Sequence, residues 1–389
     1  MSSSLTLGSM KKKKKVLVLT DHMPWGHRSI ARAIYGYLSE NQDDFEIEYG
    51  EVRSSLGTWN DGYTFMYRYL PSINRLTLRL ASMKVVEDVW ADVAEKNEKG
   101  LWNLIKKSKP DLIISAYLVF SRTLVDLRKK RGLNFKLWTV VADPWTMVPQ
   151  SYLKEADLHL VYDQVALGEG LRRRIPAEKI LVTGWWTRSE MYKKYNSQKV
   201  RQKLGFTDNR PIIFVGGGSL GSNILAKFLP SLLFINKKVG FIFNTGTDKL
   251  ALRLVKDTSK LLDRLKKKGV VQIKCFGWID NMAEVLSACD IVFGKAGPNF
   301  LFDVVACQKP FVAVTHIGGQ EDGNIDLIRE KHLGWVREKP MQLSNFLLEY
   351  LKKPKKFEEK YKESISEEAK RNKNSMKIIL NRLRKEFQI

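Results

Sequence analysis

Apolar and polar positions along this chain fall into two alternating textures. Short unbroken apolar runs, such as Val16–Leu19 (VLVL) and Ile212–Val215 (IIFV), are separated by longer stretches where apolar residues recur every three or four positions. The first texture is that of a strand buried on both faces, the second that of a helix laid on a sheet. Their alternation predicts an α/β fold with doubly wound parallel sheets. Strands are predicted at 15–20, 45–49, 112–115, 136–141, 158–162 and 180–183. A second series follows at 212–215, 240–244, 270–276, 291–294 and 311–315. The helix after the first strand spans 27–39, with Ile30, Ala33, Ile34, Tyr37 and Leu38 on one face. No short-period repeat occurs, which excludes a solenoid.

Between the two series, residues 189–203 are polar and charged and follow Gly184 and Trp185–Trp186. The chain has 389 residues, more than one ordinary core needs and enough for two domains of about 150–200 residues. The expected organisation is a basic tail at 1–15, an N-terminal domain at 16–186 and a C-terminal domain at 187–351. A basic helical segment at 352–389, with 13 basic against 6 acidic residues, can pack back on the N-terminal domain.

Composition narrows the function. A chain that is 44% hydrophobic and 11% aromatic is neither disordered nor fibrous. Its net charge of +24 calls for an anionic partner: nucleic acid, a phosphorylated ligand or an anionic lipid surface. Three cysteines without paired spacing fit a reducing compartment and no zinc site. The longest apolar runs fall far short of the roughly 20 residues that span a bilayer, and residues 1–15 lack the apolar core of a signal peptide. Segment Met66–Val86 stands apart, with Arg68, Arg75, Arg79 and Lys84 but no acid, and Ile73, Leu76, Leu80 and Met83 on one helical face. It reads either as a membrane-surface helix or as a core helix with a solvated face.

Three turns carry candidate chemistry. Gly216–Gly221 (GGGSLG) follows a strand and satisfies three patterns at once. As G-x-G-x-x-G it suggests a dinucleotide site, but Asn244 stands where the ribose-binding acid is wanted. As G-x-S-x-G it suggests a nucleophile elbow at Ser219, with His316 after Asp290 and Asp303. As a plain glycine loop before a helix it suits a diphosphate, with Gly217, Gly218 and Ser219 offering backbone donors. The second turn, Asp21–Arg28 (DHMPWGHR), ends the first strand and sets Trp25, Gly26 and His27 at a helix start, where open α/β sheets bind ligands. The third region pairs Lys295–Ala296–Gly297–Pro298–Asn299 with His316–Asn324 (HIGGQEDGN), polar glycine-rich turns at the ends of consecutive strands. Amides and carboxylates there suit a nucleoside diphosphate.

The KAGP run at 295–298, with Gly319–Gln320–Glu321 and Gly323–Asn324, resembles the donor site of the monogalactosyldiacylglycerol synthase and diacylglycerol glucosyltransferase group. That group belongs to the GT-B enzymes of glycosyltransferase family 28, which also includes the MurG-type transferase. Gly26–His27–Arg28 is similar to the end of the group's acceptor-side glycine loop, and Asp143–Pro144 and Lys179–Thr187 fall at its Asp-containing loop and hinge. Pro24–Trp25 replace two of that loop's glycines, Asn299 replaces a glycine, and Asp303 replaces a ribose-binding Glu.

The resemblance implies two Rossmann-like domains facing a cleft and an inverting, metal-independent transfer of a hexose from a UDP-sugar to a diacylglycerol-type lipid. It implies no cofactor; UDP-galactose or UDP-glucose is the donor substrate. His27 becomes the candidate base, expected to titrate near 6–7. Gly217–Ser219 and the helix after Pro298 would hold the diphosphate. Gln320 and Glu321 would bind sugar or ribose, Asp303 the ribose, and Lys295–Asn299 and Asn324 complete the donor side. Trp25, Gly26, Arg68, Arg75, Arg79 and Asp143 fall to the acceptor and membrane side. The expected partners are a UDP-sugar, a lipid acceptor and an anionic membrane surface, with no nucleic acid, and the expected location is cytoplasmic, peripheral on the inner face of the cell membrane. Rival readings are a family-28-like transferase with another acceptor, a UDP-sugar epimerase of the same fold, and an inactive membrane-binding homologue.

Overall fold

A computed structural model describes residues 13–23, 26–41, 43–55, 87–216, 222–265 and 269–389. Two six-stranded sheets, parallel throughout, divide it between them. The first contains β1 (Lys14–Asp21), β2 (Phe45–Val52), β3 (Leu112–Ser115), β4 (Lys136–Val140), β5 (Leu158–Val161) and β6 (Ile180–Val182), in the order β2-β1-β3-β4-β5-β6. The second contains β7 (Ile212–Gly216), β8 (Val239–Asn244), β9 (Val271–Phe276), β10 (Ile291–Lys295), β11 (Phe311–Thr315) and β12 (Gly334–Val336), in the order β12-β11-β10-β7-β8-β9.

The continuous apolar runs are the central strands. Val16–Leu19 and Ile212–Val215 are fully buried, as strands covered by helices on both faces must be. The edge strand β2 (FEIEYGEV) instead carries Glu46, Glu48 and Glu51, charges that discourage edge-to-edge pairing. Strand β12 has three residues, too short to announce itself by periodicity.

Strand order reverses between β1 and β3 in the first sheet and between β7 and β10 in the second, and crevices open at such reversals. The chain leaving β1 enters α1 (Gly26–Glu40), and the chain leaving β10 enters α2 (Pro298–Ala306), as labelled here for the helices that build the site. The N-termini of the two helices meet: a Cβ added at Gly26 would run into the Asn299 side-chain amide. Helix α3 (Asp322–Glu330) follows β11 and completes the same end of the second sheet.

One hydrophobic cluster joins the sheets. It takes Val16, Ile114 and Trp138 from the first and Phe214, Val292 and Phe311 from the second. Trp185 and Trp186, in the connection after β6, are buried within it. Trp185 stacks on Phe302 of α2 at 5.0 Å, and its Nε1 donates to Asn299 Oδ1 at 3.3 Å. Burying a side chain of this size removes about 150–250 Å² from water, so the tryptophan pair is a strong tie between the halves.

The basic stretch expected as one helical segment forms three helices, Pro354–Lys360, Lys362–Lys373 and Ser375–Phe387. Pro354 starts the first, since its ring and missing N–H are tolerated in an opening turn but not further in; Tyr361 and Asn374 mark the later breaks. The last helix crosses back to the first sheet. Ile379 and Leu383 join the shared core, Arg384 pairs with Asp44 at 3.1 Å, and Phe387 lies against Phe45. Tyr162 donates to Glu368 at 2.7 Å beside this crossing.

Candidate functional site

The site lies where the two strand-order reversals face each other. On the N-terminal side, Asp21 closes β1 and is fully buried; its Oδ2 has no partner among the described residues. Burial raises its pKa to about 6, helped by nearby Glu51 and opposed by the Thr20 hydroxyl at 3.5 Å. Tyr117, just past β3, places its ring 5.3 Å from that of His27. His27 Nδ1 is buried and has no partner among the described residues. Burial lowers the imidazole pKa to about 4, with the Ala116 carbonyl pulling the other way. The expected value near 6–7 is therefore corrected downward, because charging this ring means stripping its water, and among the described residues no acid compensates. The neighbouring Arg28 turns away and binds Glu51 at 2.7 Å.

On the C-terminal side, the turn after β10 and the turn after β11 are locked together. Lys295 pairs with Glu321 Oε1, and Ile317 N–H donates to Glu321 Oε2 at 2.7 Å. Asn324 Nδ2 donates to the Ala296 carbonyl at 2.8 Å while its Oδ1 is buried without a partner among the described residues. Gly297 packs so close that an added Cβ would sit 3.1 Å from Lys295 Nζ and 3.2 Å from Glu321 Oε1. Gly319 has φ of +88°, the left-handed region that glycine enters without strain. Pro298 opens α2 and has no N–H to satisfy. Glu321, assigned to donor binding from sequence, thus has both carboxylate oxygens engaged within the fold.

The two sides touch. Gly323 N–H donates to Thr146 Oγ1 at 2.7 Å. Asp143 from the first half takes a hydrogen bond from Gln320, with Glu321 and Lys295 acting on it electrostatically. Burial, then Glu321, raise Asp143 to about pKa 7. Grouped from sequence with the acceptor side, Asp143 in fact faces the residues assigned to the donor.

Asp303 follows a different course. It pairs with Arg188 at 3.1 Å, and burial holds its pKa up at about 6. It ties α2 to the connection between the sheets, and Arg188 is a partner that sequence gave no reason to choose. The hydrolase reading loses its acids: Asp290 binds Arg201 and Ile212 N–H, while His316 lies between Glu338 at 2.6 Å and Asp322 at 3.0 Å. Trp25, Arg68, Arg75, Arg79, Gly217, Gly218 and Ser219 lie outside the described residues. Among the described residues no group of three or more His, Cys, Asp or Glu is placed to hold a metal ion.

Two Rossmann-like parallel-sheet domains whose ligand crevices face each other define a GT-B fold. Comparison with known proteins narrows this. Residues 27–185 match the family model for monogalactosyldiacylglycerol synthase, and residues 212–378 match that for the glycosyltransferase family 28 C-terminal domain. The chain belongs to glycosyltransferase family 28, in the group of monogalactosyldiacylglycerol synthases and diacylglycerol glucosyltransferases. Similar proteins include a probable chloroplastic monogalactosyldiacylglycerol synthase of Glycine max, 25% identical over 90% of this chain and 67% of the relative. A processive diacylglycerol beta-glucosyltransferase of Bacillus cereus is 24% identical over 81% of this chain and 80% of its own. The chain spans about two thirds of the length of the plant relatives, 64% for that of Nicotiana tabacum. Among solved structures, MurG of Acinetobacter baumannii aligns with a TM-score of 0.60 at 14% identity, covering 96% of this chain and 99% of MurG. Anabaena HepE in complex with UDP-glucose aligns at 0.56 and 14% identity, covering 96% and 100%.

Proposed function

We propose that this protein transfers a hexose from UDP-galactose or UDP-glucose to the free hydroxyl of a diacylglycerol-type lipid, with inversion and without a metal. The reading is carried by one observation: the His27 turn and the Lys295–Asn299 and Gln320–Asn324 turns converge on one inter-domain crevice, with Gly26 against Asn299 and Asp143 against Gln320. The names of the relatives, which are galactolipid and glucolipid synthases, support the lipid acceptor. HepE, a structural neighbour solved with UDP-glucose, supports the donor class.

In this mechanism the acceptor oxygen attacks the anomeric carbon from the face opposite the diphosphate. The bond to the diphosphate oxygen breaks and UDP leaves with the electron pair. The acceptor's proton passes to His27, which burial keeps neutral at neutral pH and which is a weaker base for it, so the proton transfer runs together with departure of the diphosphate. The helix N-terminus at Pro298 stabilises the departing diphosphate, a role that the sequence also assigns to Gly217, Gly218 and Ser219, which lie outside the described residues.

Among the described residues no helix is long and apolar enough to cross a membrane. We place the protein peripherally on the cytoplasmic face of the cell membrane, drawn there by its charge of +24. Donor recognition is tested by melting curves with UDP. Saturation at about a hundred times the dissociation constant should add about 2.7 kcal/mol of stability. No rise in melting temperature with UDP or UDP-hexoses, up to millimolar concentrations, would remove the donor assignment.

A further inference from the structure

The helix Lys249–Arg264, here α4, connects β8 to β9 on the outer face of the second sheet, and its burial is incomplete in a regular way. Ala251, Val255 and Leu262 face the core. Leu250, Leu254, Leu261 and, one residue past the helix, Leu265 do not: they are 56%, 39%, 45% and 51% exposed. At 100° per residue these four fall within about 60° of arc, directly beside the core-facing positions. Phe234, after the neighbouring helix Ser222–Leu232, is 71% exposed.

The next arc of the same helix is cationic. Lys249, Arg253, Lys256, Lys260 and Arg264 all lie on it and are all exposed. The helix has two acids, Asp257 and Asp263, the first paired with Lys260 at 3.6 Å. Residues 266–268 are three further lysines in the sequence. Scattered exposed leucines need no explanation, but a stripe about 24 Å long edged by cations does. That order of core face, apolar stripe and cationic arc is the geometry of a helix lying in the boundary between lipid headgroups and acyl chains. A protein partner would need its own matching acidic rim; an anionic bilayer supplies apolar depth and negative charge together.

We infer that the Leu250–Leu265 face of α4 is a docking surface for an anionic lipid bilayer. It places a membrane contact on the C-terminal half, in addition to any made by residues 66–86. Because helices between parallel strands run antiparallel to them, the Leu250 end of α4 lies at the crevice end of the second sheet. Docking along this helix holds the crevice mouth beside the membrane. The inference extends the membrane part of the proposed function, but its test reads binding without substrate, so either can fail alone.

The test is co-sedimentation of the full chain with vesicles of phosphatidylglycerol and phosphatidylcholine, or of phosphatidylcholine alone. The double variant Leu254→Ser/Leu261→Ser should lower partitioning onto the anionic vesicles at least tenfold, with an unchanged melting curve because both side chains are exposed. The single variant Leu261→Trp should retain binding, and bromine-labelled acyl chains should quench the emission gained over the parent. Equal partitioning of the double variant and the parent would overturn the assignment, as would added indole emission in the Leu261→Trp variant that brominated lipid leaves unchanged. Conversion of a dimer to a monomer by the double variant, with vesicle binding intact, would overturn it too and give the face to a second copy of the chain.

Discussion

The backbone amide of Gly323 donates to the Thr146 hydroxyl at 2.7 Å, joining the two walls of the crevice at the turn that carries Gln320 and Glu321. The approach leaves no room for a side chain: a Cβ at position 323 would sit 2.6 Å from the Trp145 carbonyl carbon and 2.7 Å from its oxygen. Gly323→Ala should therefore push the walls apart and lower kcat/KM about tenfold or more, since overpacking of this kind costs about 1–3 kcal/mol. Gly36→Ala, where nothing lies within 4 Å of the added atom, is the control and should leave activity unchanged. Steady-state kinetics of the two variants side by side decide it.

Glu321 is held by Lys295 and by the Ile317 amide, and its loss removes an ion pair and a backbone acceptor that are largely out of water. Losing a charge-assisted hydrogen bond of this kind costs about 1.5–3 kcal/mol, so Glu321→Ala should lower the melting temperature clearly. Affinity of the folded fraction for UDP-sugar should also fall, about tenfold, because the turn at 317–321 loses its brace. Glu321→Gln can still accept from Ile317 and should keep more of both. Calorimetric titration together with a melting curve separates the two effects; an alanine variant of undiminished stability would show that the ion pair contributes nothing.

The His27 prediction concerns pH. In the unfolded chain an imidazole titrates near 6.5, and in the fold burial lowers this to about 4. The unfolded state therefore takes up the proton first as pH falls, so this group's contribution to stability is complete above about 6.5 and lost towards 4. Asp21 and Asp143, raised to about 6 and about 7, act in the opposite sense. Their contribution is present below the usual carboxylate range and lost as pH rises through 6–7. His27→Ala should abolish the acid-side loss assignable to His27 while cutting turnover about 100- to 10,000-fold. With its pKa near 4, His27 should contribute no limb between pH 6 and 7 to the parent's rate profile. An asparagine at 27 that restored nearly full turnover would reduce His27 to a structural residue of the first turn of α1.

Trp185 is predicted to act through the hinge. Trp185→Phe keeps most of the stack on Phe302 but loses the bond to Asn299, which should cost about 0.5–1.5 kcal/mol. Trp185→Ala opens the shared core and should cost about 3–5 kcal/mol. Chemical denaturation of the two variants provides the comparison.

The strands were legible because parallel-sheet burial writes itself as unbroken apolar runs. Leu112–Ser115 and Phe311–Thr315 were bounded correctly from sequence, and most others to within a residue or two. Strand β12 was missed because Gly334–Val336 has too few residues to show a period. At the site, glycines and strand ends gave away the turns, but not which carboxylate meets which cation. The Asp303–Arg188 pair is 115 positions apart in sequence, and Lys295–Glu321 joins two separate turns. Such pairings are settled by three-dimensional packing, and so was the burial that takes His27 to a low pKa.

The most direct measurement is product analysis. The protein is incubated with diacylglycerol in anionic liposomes and either UDP-galactose or UDP-glucose, and the lipids are analysed by mass spectrometry and for anomeric configuration. The account predicts a hexosyl-diacylglycerol in the β configuration, formed from one of the two donors in the presence of a chelator and diminished at least a hundredfold by His27→Ala. Liberation of free sugar without glycolipid, or no lipid product from either donor by a protein that binds UDP, would contradict it.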